Sequence, residues 1–104
     1  MIMIRQGPGY VTVKGHANDE AHPRTEETMQ ACAAITALVQ TLLLSVSAIG
    51  KDIPDHVIGK GIFCMNTEHL SEQSQLLVDA FLLGSEAVAS GYPEYIKVDR
   101  AFKS

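Results

Sequence analysis

Several kinds of functional signal are missing from this chain. Its 104 residues include no tryptophan and only three tyrosines and three phenylalanines, so aliphatic side chains must fill the core. The eight Lys and Arg residues are scattered and the net charge is −4, which argues against nucleic-acid binding and only weakly favours a basic partner. The Gly7-Pro8-Gly9 turn precedes a strand rather than a helix, so no phosphate-binding loop is indicated.

Cysteine is also scarce. With only Cys32 and Cys64 the chain has no disulfide framework, and no signal-peptide pattern precedes them, so we expect a reducing, cytoplasmic location. Metal-ligand spacings of the Cys-x-x-Cys or His-x-x-x-His kind are absent from the sequence. The number of possible ligands, His16, His22 and the two cysteines, would be enough for a metal site, but their spacing does not indicate one. We therefore predict neither a metal nor another cofactor.

The bulk composition is that of a soluble globular protein. Hydrophobic residues make up 46% and charged residues 19%, and the length suits one domain, residues 1–104, with one modest core. The segment Thr28–Gly50 carries no charge, but Gln, Thr and Ser interrupt it too often for a membrane span. We predict instead a helix buried on most sides within the domain, and no membrane partner.

The first third of the chain predicts a hairpin followed by a loop. Met1–Arg5 and Tyr10–Lys14 are rich in strand-forming residues, and the turn at Gln6–Gly9 would join them as antiparallel neighbours. His16 then lies just past the end of the second strand. Ala17–Glu27 is polar, contains a proline and has no periodic pattern, so we expect a mobile surface loop.

The charge-poor segment predicts the first long helix. Thr25 or Thr28 is suited to its N-cap, and the helix should end near Ile49, just before Gly50. Its apolar residues recur at three- and four-residue steps, as a helix packed on a core requires. The residues of this stripe are Ile35, Leu38, Leu42, Val46 and Ile49.

The second half of the chain predicts further strands and a second helix. His56–Ile58 and Gly61–Met65 form either a hairpin or one bent strand. The helix should start near residues 66–67 and end at Gly91, and the alternating segment Tyr95–Phe102 should be the last strand. The order ββ-α-β(β)-α-β predicts an α+β fold: a mainly antiparallel sheet of four to five strands with two long helices on one face.

One cysteine and one histidine could form a nucleophilic unit. A thiol is mostly protonated at neutral pH, and a nearby imidazolium or helix N-terminus increases the thiolate fraction. With Thr28 as the N-cap, Cys32 lies one turn into the helix and the dipole helps; with Thr25 it lies about two turns in and the benefit mostly fades. His16 could act as the general base, with His22 in reserve.

These residues resemble a known family, the ribosomal-processing cysteine proteases called Prp. Its members carry Gly-His-Ala at the end of the second strand. Their first helix opens with an acidic residue, two apolar residues and Cys-Ala, and a small hydroxyl residue follows one turn later. Gly15-His16-Ala17, Cys32-Ala33 and Thr36 match this pattern, with Thr36 in place of the usual serine. Length, element order and the charge-poor helix extend the resemblance over nearly the whole chain.

The resemblance implies a function and a set of site residues. Such a protein would remove a short N-terminal extension from a large-subunit ribosomal protein, or process a phage capsid or scaffold precursor, and would be a homodimer. Cys32 would be the nucleophile and His16 the general base, while Gly15, Ala33 and Thr36 would contact the peptide. Backbone amides near the start of the helix are candidate oxyanion donors.

The sequence departs from the family pattern at two places. Met29 stands where the acidic residue is expected, and the loop between the histidine and the cysteine is several residues longer than usual. A carboxylate of that loop or of the first helical turn could replace the missing one. These candidates are Asp19, Glu20, Glu26 and Glu27. The alternatives to a protease are an inactive interaction or assembly domain with the same fold, and a thiol enzyme of other acyl chemistry.

Overall fold

The computed structural model describes residues 1–100 and confirms the α+β fold. Five strands and two helices follow one another in the predicted order. They are β1 (Ile2–Gly7), β2 (Tyr10–Lys14), α1 (Glu26–Ala48), β3 (His56–Gly59), β4 (Ile62–Asn66), α2 (Glu72–Gly91) and β5 (Ile96–Arg100). Two residues predicted for the last strand, Ala101 and Phe102, lie outside the described residues.

The strands form a single mixed sheet in the order β3-β4-β2-β1-β5. Three of its four pairings are antiparallel, and β1 and β5 run parallel. The segment after α1 is a true hairpin, because β3 and β4 pair directly across the turn at Lys60-Gly61. The sheet places the end of β2 beside this hairpin turn, which matters for the site below.

One face of the sheet and the inward stripes of both helices enclose the core. Alternate residues of the strands point into it, as the two-residue repeat of a strand requires. The opposite face of the sheet carries more exposed side chains, and every residue of β3 is exposed. The largest fully buried apolar side chains are Ile4, Val11, Val46, Met65 and Leu82.

Helix α1 begins with a reciprocal cap. Thr25 is the N-cap: its hydroxyl accepts a hydrogen bond from the Thr28 N–H at 3.2 Å, while the Thr28 hydroxyl accepts one from the Thr25 N–H at 2.8 Å. The two candidate caps therefore work together. The helix ends at Ala48, and Ile49 is a largely exposed C-cap residue rather than a member of the core stripe.

The expectation that α1 is buried on most sides is wrong. It is long and apolar enough to cross a membrane, yet only 28% of its most apolar 18-residue window is buried. The exposed faces carry mainly Ala, Thr, Ser and Gln, which need no burial. The strands before and after α1, β2 and β3, belong to the same sheet, where both pair with β4, so both ends of the helix return to that sheet. This arrangement favours a core-packed helix over a membrane span.

Helix α2 starts later than predicted, at Glu72, and ends at Gly91 as predicted. Its N-cap is Ser71, whose hydroxyl accepts from the Ser74 N–H at 3.2 Å. The Asp52 carboxylate fixes this start by accepting hydrogen bonds from the Ser71 N–H at 3.0 Å and from the hydroxyls of Ser71 and Ser74. These hydrogen bonds lower the pKa of Asp52, and the bond from the Ser74 hydroxyl contributes most.

Candidate active site

The strand β2 ends at a glycine that turns the chain towards the helix. Gly15 has φ +96°, a conformation that L side chains rarely adopt, and an added Cβ would collide with the carbonyl oxygen of Met1. Its N–H donates to the carbonyl of Gly61 at 2.9 Å, which ties the end of β2 to the hairpin turn. The next residue, His16, is thereby held in an exposed position just past the end of the central strand.

His16 lies against a second glycine. A Cβ on Gly61 would come within 2.6 Å of His16 Nε2, and the backbone there has φ +72°. The imidazole therefore occupies the space that a side chain at position 61 would fill. This contact joins residues 45 positions apart in the sequence, and no sequence motif predicts it.

Cys32 lies seven residues after the N-cap Thr25, about two turns into α1. Its side chain is half-buried, and its sulfur accepts a hydrogen bond from the Ala17 backbone N–H at 3.4 Å. Of the two arrangements that the sequence left open, the structure has the one in which the helix dipole contributes little at the sulfur.

The cysteine and the histidine line the same open groove. This cavity has a volume of about 160 Å³ and lies between the first half of α1 and the β3–β4 hairpin. No Asp, Glu, Lys or Arg side chain lines it. Its remaining walls are formed by Ile2, Val13, Gly15, Ile35, Thr36, Val39, Gln40, Ile58, Gly59, Gly61, Ile62 and Phe63.

The three predicted substrate-contacting residues differ in their placement. Gly15 and Thr36 line the groove, and Thr36 Oγ1 donates to the Cys32 carbonyl at 2.8 Å. Ala33 is exposed and is not among the residues that line it. Gln40 lines the groove but was not predicted. Its position two helical turns after Cys32, on the same face, is the sequence signal that would have identified it.

Hydrogen bonds to one carboxylate form a local turn in the loop after His16. The Asp19 carboxylate accepts hydrogen bonds from the Ala21 N–H at 3.0 Å and the His22 N–H at 2.9 Å. Its hydrogen bond with the Met1 amino group, at 2.8 Å, is the main reason that the pKa of Asp19 falls to about 2. The His22 ring contacts Asp19 Oδ1 at 3.0 Å and packs edge-on against Tyr95. Asp19 and His22 are thus engaged with each other rather than with His16.

None of the four candidate carboxylates is hydrogen-bonded to the His16 ring in the described residues. No carboxylate there forms a hydrogen bond with the His16 ring, and Met29 is 47% exposed. Within the same residues no hydrogen bond joins His16 and Cys32, which face one groove as separate side chains. Within residues 1–100 the hydrogen-bond partner of the sulfur is therefore the Ala17 N–H and not the imidazole.

The remaining cysteine and histidines lie outside the groove. Cys64 is half-buried on β4, His56 Nδ1 lies 3.2 Å from the Pro54 carbonyl, and His69 is in an exposed turn with φ +61°. None of them is among the residues that line the groove. Across residues 1–100, no three His, Cys, Asp or Glu side chains gather closely enough to hold a metal ion.

The fold and the groove define an α+β protein that presents a cysteine and a histidine at one open site. The family model of the cysteine protease Prp matches residues 6–97, and the chain belongs to this family. None of the curated proteins matches the chain in sequence.

Solved structures share the fold. The S. aureus essential ribosomal processing protease Prp, in complex with a covalently linked product peptide, is similar with a TM-score of 0.77 and 18% identity over 96% of this chain and 99% of that one. The same protease with a substrate peptide has a TM-score of 0.74 and 16% identity, over 95% of this chain and 96% of that one. SMU.848 from Streptococcus mutans has a TM-score of 0.75 and 22% identity, over 95% of this chain and 89% of that one.

Proposed function

We propose that this protein is an active cysteine endopeptidase with Cys32 as nucleophile and His16 as general base. The observation that carries the proposal is the placement of both side chains on one open groove in a chain of the Prp family. The Cys32 thiolate attacks the scissile carbonyl after His16 has taken its proton, and His16 then protonates the leaving amine. Water, activated by His16, hydrolyses the resulting thioester.

The groove suits an extended, uncharged peptide. Its walls are mainly aliphatic and its volume of about 160 Å³ is enough for an apolar side chain beside the scissile bond. The substrate we propose is the N-terminal extension of a large-subunit ribosomal protein. Support comes from the similar S. aureus ribosomal processing protease, which has been captured with substrate and product peptides. A phage capsid or scaffold precursor is the second substrate to test.

We further propose that the protein acts in the cytoplasm as a homodimer. Exposed leucines on both helices support self-association, since Leu44, Leu76 and Leu83 are each more than 60% exposed. Neither cysteine is in a disulfide, as expected for a reducing compartment.

The second candidate function is an inactive assembly domain that retains the fold. Two observations favour it: Met29 replaces the family's acidic residue, and His16 and Cys32 are not hydrogen-bonded to each other in the described residues. A two-residue Cys–His unit can nevertheless work, because the third member of a triad chiefly orients the imidazole. Proton transfer then requires the exposed His16 ring to move within hydrogen-bonding distance of the sulfur.

Peptide cleavage separates the two candidates. The probe is a synthetic peptide spanning the extension and first mature residues of a large-subunit ribosomal protein, with a phage capsid precursor peptide alongside. We expect Cys32→Ala to abolish cleavage and His16→Ala to lower kcat/KM by about 10²–10⁴-fold. Cys64→Ala, the matched control, should retain activity. A folded wild-type protein that cleaves neither peptide, or a Cys32→Ala variant as active as wild type, would reject the protease.

A further inference from the structure

The amides of α1 are not available to stabilise an oxyanion at Cys32. Only the first four N–H groups of a helix lack partners within it. With Thr25 as the N-cap, the N–H groups of Cys32 and Ala33 lie in the helix interior, where each donates to the carbonyl four residues earlier. The expectation that the start of the helix supplies the oxyanion donors therefore does not fit the position of the nucleophile.

One backbone donor does point at the reacting atom. The Ala17 N–H donates to Cys32 Sγ at 3.4 Å. Its direction is fixed from both sides of the peptide group: the Ala17 methyl is fully buried in the core, and the His16 carbonyl accepts from the Met1 amino group at 2.6 Å. The preceding Gly15 N–H is held by the Gly61 carbonyl. A donor fixed in this way needs no reorganisation during the reaction, which is what makes such groups effective in catalysis.

We propose that the Ala17 backbone N–H is an oxyanion donor of the protease reaction, an inference that rests on the proposed function. A lone pair of the Cys32 thiolate forms the C–S bond, and the carbonyl π pair moves onto the oxygen. The negative charge leaves the sulfur for an oxygen two bonds away, and the Ala17 N–H transfers its hydrogen bond to it. When the C=O bond re-forms, the C–N bond breaks and the leaving amine takes the proton held by His16.

The geometry suits this transfer. Effective oxyanion donors lie roughly 2.7–3.1 Å from the oxygen they stabilise. An N–H directed at the sulfur is already aimed at the volume in which the substrate carbonyl must lie for attack. The same amide therefore serves the thiolate at rest and the oxyanion after attack. The gain for catalysis is the difference between the two states: the resting contact is a 3.4 Å hydrogen bond to sulfur, a weak acceptor, whereas the oxyanion is a strong acceptor.

A backbone ester tests the proposal directly, because it deletes the N–H without changing a side chain. Cys32 is itself a native-ligation junction, so a synthetic thioester of residues 1–31 with lactic acid in place of Ala17 can be joined to residues 32–104. The control carries the ester at Glu20, an exposed position whose N–H donates no hydrogen bond within residues 1–100. Circular dichroism verifies that both fold.

Two rates separate the oxyanion role from a merely resting contact. We expect the ester at position 17 to lower kcat for the ribosomal peptide by about 10²–10³-fold with little change in KM. Alkylation of Cys32 by iodoacetamide creates no oxyanion. The alkylation rate of the protein with the ester at position 17 should therefore differ by less than about tenfold from that of the protein with the ester at position 20. If the ester at position 17 lowers kcat for hydrolysis by no larger a factor than it lowers the alkylation rate, the proposal is overturned. The N–H would then act only on the resting sulfur.

An aldehyde probe keeps the outcome separate from that of the proposed function. Acetyl-Leu-Leu-leucinal, whose apolar side chains suit the groove, adds to a cysteine as a hemithioacetal that places its oxygen in the oxyanion position without turnover. We expect its affinity to fall about 10²-fold in the ester at position 17 and not at position 20. A wild-type protein that binds the aldehyde but cleaves no peptide contradicts the proposed function alone. Equal affinity in the two esters contradicts the Ala17 role alone, and a wild type that does neither contradicts both.

Discussion

At the scale of single residues, two glycines create the space in which the site is built. Gly15 and Gly61 both have positive φ, and an added Cβ would collide with the Met1 carbonyl at the first and with the His16 ring at the second. Only Gly15 belongs to the Gly-His-Ala motif. The need for glycine at position 61 follows from the hairpin turn and from the ring that lies on it.

Replacing Gly61 should therefore damage the site as well as the fold. In Gly61→Ala, positive φ costs about 1–2 kcal/mol of stability, and the new methyl displaces the imidazole. We expect kcat/KM to fall and the His16 ring signals in NMR spectra to shift. Gly9→Ala is the matched control: its φ is +84°, and its Cβ meets only the flexible end of Glu68. An equal loss of activity in both variants would show that strain alone, rather than the His16 contact, is responsible.

At the scale of elements, α1 forms one wall of the groove. Cys32, Thr36 and Gln40 follow at four-residue intervals, about 6 Å apart along the axis. Thr36 already donates its hydroxyl proton to the Cys32 carbonyl, so it offers a substrate only acceptor lone pairs. The Gln40 amide offers both a donor and an acceptor, and it has no hydrogen bond within residues 1–100.

Gln40 should hold the substrate at a distance from the scissile bond. It lies about 12 Å along α1 from Cys32, which corresponds to three or four residues of extended peptide. Gln40→Ala is expected to raise KM by about 5–10-fold and leave kcat nearly unchanged, since a uniform binding interaction is removed. Gln73→Ala, at an exposed position of α2, should change neither. The account of this wall is wrong if kcat falls alone, or if the effect persists on a peptide truncated to two residues on each side.

Local patterns were sufficient for the helices but not for all of their ends. The apolar repeat predicted α1 and its stripe, and the Thr25 and Thr28 alternatives turned out to be the two halves of one capping box. The start of α2 was predicted five or six residues too early. The contact that sets it, from Asp52 to Ser71, spans 19 positions and has no local signature.

At the scale of the whole molecule, the sheet brings the site together. Strand β2 is the central strand, and its end reaches both the β3–β4 turn and the second turn of α1. A family motif predicted that His16 and Cys32 belong to one site, and periodicity predicted the element order; the structure has both side chains on one groove with no hydrogen bond between them in residues 1–100. The parallel pairing of β1 with β5 and the contribution of the hairpin to the groove could not be predicted, because both depend on contacts between distant segments.

The central claim is that Cys32 and His16 act as one reactive unit in the folded protein. The most direct test is the rate of iodoacetamide labelling of each cysteine at pH 7, followed by peptide mass spectrometry, with Cys64 as the internal reference. We predict that Cys32 reacts at least about tenfold faster than Cys64. His16→Ala should remove this advantage, whereas His22→Ala, in the same loop, should preserve it. A Cys32 to Cys64 ratio that is unchanged by His16→Ala would contradict the account.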